Sequence, residues 1–283
     1  MTRKPQFAII NIIGLVAILA IGWFLFVKSG HPPGSSAVST GRRPPDLKRM
    51  ILIRGGKFIF GTDPLEEEKL PAALGMTGNG YQNETPRQTI YLDDFYIDKY
   101  EVTIGAYRDF MKATGHALPK AWVELDLEKW KDYPAQGITW READDYVKWQ
   151  GKRLPTEAQW EKASRGPNGL RYVFGDKFDP QKARTDLKET IPVARTDFDR
   201  SYYGVSGLSG NLSEWCADWY GPHPGSDYHD SRYGKKNKVY KGGSWVNRGH
   251  YNFSFFYRCA RRGFGRPDKA YGDVGFRGVY VPQ

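Results

Sequence analysis

The sequence GKRLPTEAQWE, residues 151–161, contains the signals of a helix start. A threonine followed three residues later by glutamine has the form of a capping box, in which each side chain binds the backbone amide of the other at a helix start. Thr156 and Gln159 therefore predict a helix that begins just after the threonine and continues through KASRG. Helical spacing places Trp160 and Ala163 on its core-facing side.

Two more helices are predicted before this stretch. TWREADDYVKWQGKR, residues 139–153, places Ala143, Tyr146, Val147 and Gln150 on one face and ends at Gly151. IGAYRDFMKATG, residues 104–115, has its aromatic side chains at helical spacing and also ends on glycine. Both patterns are typical of amphipathic helices that pack on a core.

Short strands flank the helices. MILIRGGKFIFGTD, residues 50–63, alternates apolar residues around a Gly-Gly pair, which predicts a β-hairpin. RQTIYLDDFYIDKYEVT, residues 87–103, predicts two further strands. After Gly166 no long helix is predicted, and short strands and turns continue to VGFRGVYV at residues 274–281. We therefore predict an α+β domain that is rich in loops.

The composition favours an ordered domain. The 283 residues include nine tryptophans and eighteen tyrosines, and disordered chains are poor in aromatic residues. The formal charge is +10, but no basic cluster recurs at a spacing that would follow phosphates, so nucleic acid is not expected as a partner. The two cysteines, Cys216 and Cys259, allow at most one disulfide, and no CxxC or HxxxH pair indicates a zinc site.

A long apolar segment lies near the start of the chain. FAIINIIGLVAILAIGWFLFV, residues 7–27, follows a short basic N-terminus at residues 1–6, and it is long enough to cross a hydrocarbon core of about 30 Å. We interpret it as an uncleaved transmembrane signal anchor. The alternative is a cleaved signal peptide, whose apolar region normally has about 7–15 residues. A Ser-, Gly- and Pro-rich linker at residues 28–49 leads to the globular domain at residues 50–283.

This arrangement predicts a single-pass protein of the cell inner membrane. A short basic N-terminus before an apolar stretch is the usual export arrangement, and long domains are translocated largely regardless of charge. We therefore expect the globular domain in the periplasm or the extracellular space.

Several motifs occur in a fixed order along the globular domain. They are IRGGKFIFGTD, DKYEVT, ITWREADDYVKWQGKRLPTEAQWEKASRG, FGDKF, GLSGNLSEWCADWYG, KGGSW, and RCARR followed by GFR. In this combination, over residues 50–282, the chain resembles the sulfatase-modifying-factor, or formylglycine-generating enzyme, family. The resemblance implies one domain with an irregular, duplicated C-type-lectin-like fold. The family's best-known activity oxidises a cysteine of sulfatases to formylglycine with copper and oxygen.

The chain departs from the family pattern at the copper site. The resemblance implies two copper-binding cysteines after Gly-Gly-Ser, and counted from Ser244 their positions hold Asn247 and Asn252. An amide does not supply the soft thiolate that copper(I) requires. We therefore expect neither copper nor formylglycine-generating activity, and iron is left open. The resemblance aligns Cys259 with a non-catalytic cysteine.

The resemblance also implies calcium. One family site uses backbone carbonyls and a glutamate around the GN-x-x-E-W turn, and such oxygen ligands suit Ca²⁺. In the first family site Gly207 replaces a usual side-chain ligand, and Ser209 is its partial substitute. In the second site Arg184 stands where an Asn ligand is expected, so only the first site is retained as a prediction. Its ligands here would be Ser209, Gly210, Leu212 and Glu214.

The segment after Gly-Gly-Ser also carries most of the other candidate residues. For an enzyme of different chemistry, the catalytic candidates are Ser244, His250 and Tyr251. For a binding protein, the contact residues are Trp245, Asn247, Arg248, His250, Tyr251, Asn252 and Arg258. The arginines of RCARR have a second interpretation, as structural partners of carboxylates such as Glu214 or Asp218.

The predicted anchor and the missing cysteines favour a membrane-anchored, non-oxidase member of the family. Its domain would serve the binding, assembly or maturation of a protein partner in the membrane or periplasm. A metal-dependent periplasmic oxidase or maturation enzyme of the nonheme iron type is one alternative. A ligand-display protein with a C-type-lectin-like face is the other.

Overall fold

Three α-helices and nine short strands are present in the computed structural model, which describes residues 43–63, 81–184, 188–246 and 254–282. The described residues all belong to one compact unit, Ser39–Gln283. The architecture is mixed α/β, as predicted.

The three predicted helices are confirmed. Helix α1 is Ile104–Thr114, α2 is Trp140–Trp149 and α3 is Glu157–Arg165. The capping box predicted for α3 is present, with Thr156 Oγ accepting from the Gln159 amide at 3.2 Å and Gln159 Oε1 accepting from the Thr156 amide at 3.0 Å. A second capping box starts α2.

The strands form three small sheets. In chain order they are β1 Met50–Ile53, β2 Gly56–Phe60, β3 Gln88–Leu92, β4 Phe95–Asp98, β5 Ser213–Trp219, β6 Lys238–Lys241, β7 Arg262–Gly265, β8 Val274–Gly275 and β9 Val279–Tyr280. The sheet orders are β1-β4-β9, β2-β3 and β7-β6-β5-β8. Only β5 and β8 pair in parallel; the other pairs of the described strands are antiparallel.

The hairpin predicted around Gly55 and Gly56 is wrong, although both of its strands exist. β1 pairs with β4 and β2 pairs with β3, so the two strands separate into different sheets. The cause lies at the junction, where the Lys162 ammonium binds the carbonyls of Arg54 and Gly56 at 2.8 and 3.1 Å. Asp94 also accepts from the Gly55 amide at 2.6 Å, which holds the chain in a bend.

Two apolar cores support these sheets. The first lies between α1, α2 and the β5 side of the large sheet and contains Tyr107, Tyr146 and Trp215. The second contains Trp160 of α3 together with both cysteines. Of the predicted core face of α2, Ala143, Tyr146 and Val147 are buried, whereas Gln150 lies just past the helix end and is half-buried.

The described chain begins on the domain surface before β1. Arg43 donates from its amide to the Trp149 carbonyl at 3.1 Å, and its guanidinium lies 4.6 Å from the Trp149 ring centroid. The last part of the predicted linker therefore packs on the end of α2. The predicted anchor, residues 7–27, lies outside the described residues, and among those described no helix is both long enough and apolar enough to span a membrane.

Candidate functional site

The Gly-Gly-Ser segment continues directly from β6 and packs against the GLSGN turn. The Gly243 amide donates to the Ser209 carbonyl and the Trp245 amide to the Asn211 carbonyl, both at 3.1 Å. A Cβ at Gly243 would lie 2.5 Å from the Ser209 carbonyl oxygen, so only glycine permits this approach. Residues 244–246 therefore lie just beyond the C-terminal end of β6, an inner strand of the large sheet, and we call this end the Gly-Gly-Ser edge.

Ser244, a catalytic candidate, is fully buried, and its Oγ donates to Asp273 Oδ2 at 2.9 Å. Next to it Trp245 is half-buried, and Val246 has 38% of its surface exposed. The other predicted site residues of this segment lie outside the described residues. They are Asn247, Arg248, His250, Tyr251 and Asn252.

Both cysteines are free thiols inside the second apolar core. Cys216 is 0% exposed and Cys259 is 1% exposed. Burial raises the pKa of Cys216 well above its ordinary value and raises the pKa of Cys259 to about 11. Neither side chain can act as an accessible thiolate, which is the form that binds copper or attacks a disulfide.

Two of the three arginines of RCARR bind carboxylates, but not those that were expected. Arg258 Nη1 and Nη2 donate to both oxygens of Glu84 at 2.7 and 2.8 Å. Arg262 Nε and Nη2 donate to both oxygens of Glu157 at 2.7 and 2.9 Å. Arg258 is only 2% exposed, which supports its structural interpretation over the predicted role in partner contact.

The expected partner Glu214 is bound by a different arginine. Arg277, from the GFR motif, donates to its two oxygens through Nε and Nη2, both at 2.6 Å. Trp160 Nε1 adds a third bond at 3.0 Å. The other expected partner, Asp218, accepts from the Glu157 amide at 2.6 Å. These bonds correct the predicted pairing.

Arg277 also occupies the carbonyl oxygens around Glu214. Its Nη1 and Nη2 donate at 2.9–3.3 Å to the carbonyls of Asp98, Lys99, Ser206 and Gly207. One guanidinium thus neutralises the carboxylate and satisfies the surrounding carbonyls. This donor set does not fit a calcium ion, because Glu214, the only charged ligand in the predicted site, already binds a cation on both oxygens.

Two more buried carboxyl groups hold the GLSGN turn. Asp199 accepts from the amides of Gly207 and Ser209, both at 2.7 Å, and burial raises its pKa to about 7. Glu101 accepts from the Leu212 amide at 3.1 Å, and burial together with the charge of Glu214 raises its pKa well above the ordinary value. The Ser209 hydroxyl is buried and has no partner among the described residues.

Sequence reasoning missed a second buried ionic cluster on α3. Lys241 Nζ donates to Glu161 Oε2 at 2.8 Å, and Arg165 Nη1 donates to Glu161 Oε1 at 2.7 Å. Burial alone would raise the pKa of Glu161, but the charges of Lys241 and Arg165 outweigh it and hold the pKa below its usual range. The sequence indicated this cluster only indirectly, because GKRLPTEAQWEKASRG contains several charged residues next to the core residue Trp160.

The described residues therefore form a rigid frame with paired charges inside it. Among the residues that the structure describes, no three His, Cys, Asp or Glu side chains are grouped so that they could hold a metal ion.

The chain is similar to known proteins over nearly its whole length. It is 29% identical to the formylglycine-generating enzyme of Streptomyces coelicolor, over 89% of this chain and 95% of that enzyme. Among solved structures, variable protein 1 of Treponema denticola has a TM-score of 0.61 at 18% identity, covering 82% of this chain and 95% of that one. PvdO of Pseudomonas aeruginosa has a TM-score of 0.57 at 21% identity, covering 81% and 93%.

These two structures show the same fold. The family match covers a similar share of the chain, because residues 35–281 match the sulfatase-modifying factor enzyme 1-like domain. Since this range includes almost all of the chain, the protein belongs to the sulfatase-modifying factor enzyme 1-like family.

Proposed function

We propose that this protein is a membrane-anchored, non-oxidase member of its family whose domain binds, assembles or matures a protein partner outside the cytoplasm. The observation that carries the proposal is the placement of its thiols. Positions 247 and 252 hold asparagine, and the two cysteines that the chain does possess are buried in the core. A pair of thiolates, which a copper-dependent thiol oxidase of this family needs, is therefore lacking from the surface.

The proposed contact surface is the Gly-Gly-Ser edge together with the segment that follows it. Glycine allows this edge to lie directly on the GLSGN turn, and the turn itself is held by Asp199 and Glu101. The described part of this surface is fixed in this way, and a fixed surface loses little conformational entropy when a partner docks. Val246 is the exposed apolar side chain at its start.

Co-purification tests this proposal. Full-length protein is extracted from native membranes in mild detergent, and its complex is measured by native mass and by crosslinking. We expect a partner at fixed stoichiometry with the wild type, and its loss in Val246→Asp. Val123→Asp is the matched control, because Val123 is also an exposed valine, at 70%, in the loop before α2. A wild-type protein that runs alone, or a complex that both variants lose equally, would contradict the proposal.

The location is tested separately. Alkaline phosphatase fused after Gln283 is expected to be active in a bacterial host, as it is when the fusion point lies outside the cytoplasm. An inactive fusion that is present at normal abundance would place the domain on the other side of the membrane.

A further inference from the structure

An asparagine is followed directly by a glycine in the turn that leaves α3, at Asn168 and Gly169. Glycine places no side chain beside its own backbone nitrogen. That nitrogen can therefore approach the amide carbon of the preceding asparagine side chain with less steric hindrance than the nitrogen of any other residue. Whether the pair reacts depends on how the fold engages the two groups.

The fold leaves both reacting groups without a hydrogen-bond partner among the residues that the structure describes. The Asn168 side chain is exposed and makes no hydrogen bond to any of them. The Gly169 amide has no acceptor among them either, whereas the next amide, that of Leu170, donates to the Arg165 carbonyl at 3.1 Å. The Gly169 nitrogen can thus lose its proton to the solvent without breaking a hydrogen bond within the described part of the chain.

Packing requires glycine at this position. A Cβ at residue 169 would lie 2.7 Å from the Cβ of Ile59 in β2, and the Gly169 φ of +72° is a conformation that favours glycine. Arg165 Nη2 and Nε also donate to the carbonyls of Gly169 and Leu170 at 3.0 and 3.2 Å. The contacts of α3 and β2 therefore keep a glycine directly after the exposed asparagine.

We propose that Asn168 is a site of intramolecular deamidation. The deprotonated Gly169 nitrogen attacks Cγ of Asn168, so that an N–Cγ bond forms while the bond from Cγ to the side-chain nitrogen breaks and ammonia leaves. Water then opens the cyclic imide at either of its carbonyl carbons. Opening at Cγ gives aspartate, and opening at the backbone carbonyl gives isoaspartate. The net reaction consumes water and releases ammonia, and it needs no metal, thiol or oxidant.

The product would change the charge of a basic cleft. Asn168 lines a cleft of about 290 Å³ whose other lining residues include four arginines and one carboxylate, that of Asp176. Deamidation adds a second carboxylate to this lining. Isoaspartate also lengthens the main chain by one carbon just before Gly169, the residue that Arg165 and Ile59 hold in place. This modification is independent of the partner surface and the location proposed above.

Peptide mapping by mass spectrometry tests the site. Full-length protein is incubated at neutral and at mildly alkaline pH and digested with trypsin, and a zero-time sample corrects for reaction during digestion. The peptide GPNGLR, residues 166–171, contains Asn168 as its one asparagine. We expect it to deamidate faster than the peptide that contains Asn237, which precedes a lysine and donates to the Arg232 carbonyl at 3.1 Å. The rate should rise with pH, because the attacking nitrogen must be deprotonated.

The products and the variants identify the mechanism. Both aspartate and isoaspartate should appear at residue 168, whereas direct hydrolysis of the side chain yields aspartate alone. Asn168→Gln should lose the reaction at this peptide, since its longer side chain closes a larger and less favourable ring. Asn83→Gln is the matched control, because Asn83 precedes a glutamate and donates to Tyr220, and it should leave the reaction at residue 168 unchanged.

Two results would overturn the proposal. One is a residue 168 that deamidates no faster than Asn237 in the native protein but reacts in denaturant, because the folded turn would then prevent the attack. The other is formation of aspartate without isoaspartate. The second Asn-Gly pair of the chain, at residues 79 and 80, lies outside the described residues and falls in a different tryptic peptide.

Discussion

Replacement of Arg277 with methionine would remove the cation at the centre of the domain. Methionine keeps much of the apolar stem but none of the donors. Among the described residues, Glu214 would retain only the Trp160 indole as a side-chain partner within hydrogen-bonding distance, and four carbonyl groups would lose a donor. Because both partners of the pair are 0% exposed, water cannot replace what is lost.

The size of the effect follows from this burial. Removing one partner of a buried ion pair costs about 3–5 kcal/mol, since the other charge stays buried without compensation. In a domain of this size each kcal/mol lowers the melting temperature by about 2–4 °C. We therefore expect Arg277→Met to melt roughly 6–20 °C below the wild type.

Arg266→Met is the control for the loss of an arginine–carboxylate pair as such. Arg266 binds both oxygens of Asp268 at 3.1 and 2.8 Å, but the two side chains are 68% and 53% exposed. An exposed pair of this kind contributes about 0–1 kcal/mol. The assay is thermal unfolding followed by circular dichroism, with denaturant unfolding as a second measure. If Arg277→Met loses no more stability than Arg266→Met, the structural role of Arg277 is refuted.

Three further predictions concern calcium binding, the dependence of stability on pH, and the reactivity of the two cysteines. Since Arg277 binds both oxygens of Glu214, millimolar Ca²⁺ added to EDTA-treated protein should leave the melting temperature unchanged. A calcium site present at 100 times its Kd would add about 2.7 kcal/mol to the free energy of unfolding, and calorimetry would detect the resulting rise in melting temperature. Burial alone would raise the pKa of Glu157, but the charges of Arg262 and Lys241 hold this pKa well below the ordinary value of 4.5. The contribution of the Glu157 carboxylate to the free energy of unfolding is therefore complete above pH 4.5 and is lost as the pH falls. The Glu157→Gln variant should therefore be less stable than the wild type at neutral pH, and it should lose less stability than the wild type when the pH is lowered. A variant whose stability falls with pH as steeply as that of the wild type would contradict this prediction. Cys216 and Cys259 should react with a thiol reagent only after unfolding, and rapid labelling of native protein would contradict their burial.

Local chemistry made the helices predictable. The Thr156–Gln159 capping box and the glycine after α1 act within a few residues, and both lie where the sequence placed them. The burial of α3 was not predictable in the same way. An amphipathic pattern predicts that Glu161 faces solvent, whereas it is 0% exposed because Lys241, 80 residues away, lies against it.

The pairing of strands and the partners of the buried arginines were also not predictable from the sequence. Alternation predicted β1 and β2 but not that they belong to different sheets, since pairing depends on β3, β4 and the Lys162 side chain. The arginine motif predicted carboxylate partners, but the partner of Arg258 lies 174 residues away in sequence. In both cases a long-range contact decides the outcome, and a single sequence does not reveal it.

Peptide oxidation distinguishes a non-oxidase from a formylglycine-generating member of the family. Purified full-length protein is incubated with copper, oxygen and a sulfatase peptide that contains the target cysteine, and the formylglycine enzyme of Streptomyces coelicolor serves as the positive control. Mass spectrometry should show an intact cysteine with this protein and an aldehyde with the control. Formation of the aldehyde by this protein would contradict the account, since it would show oxidase chemistry with asparagine at positions 247 and 252.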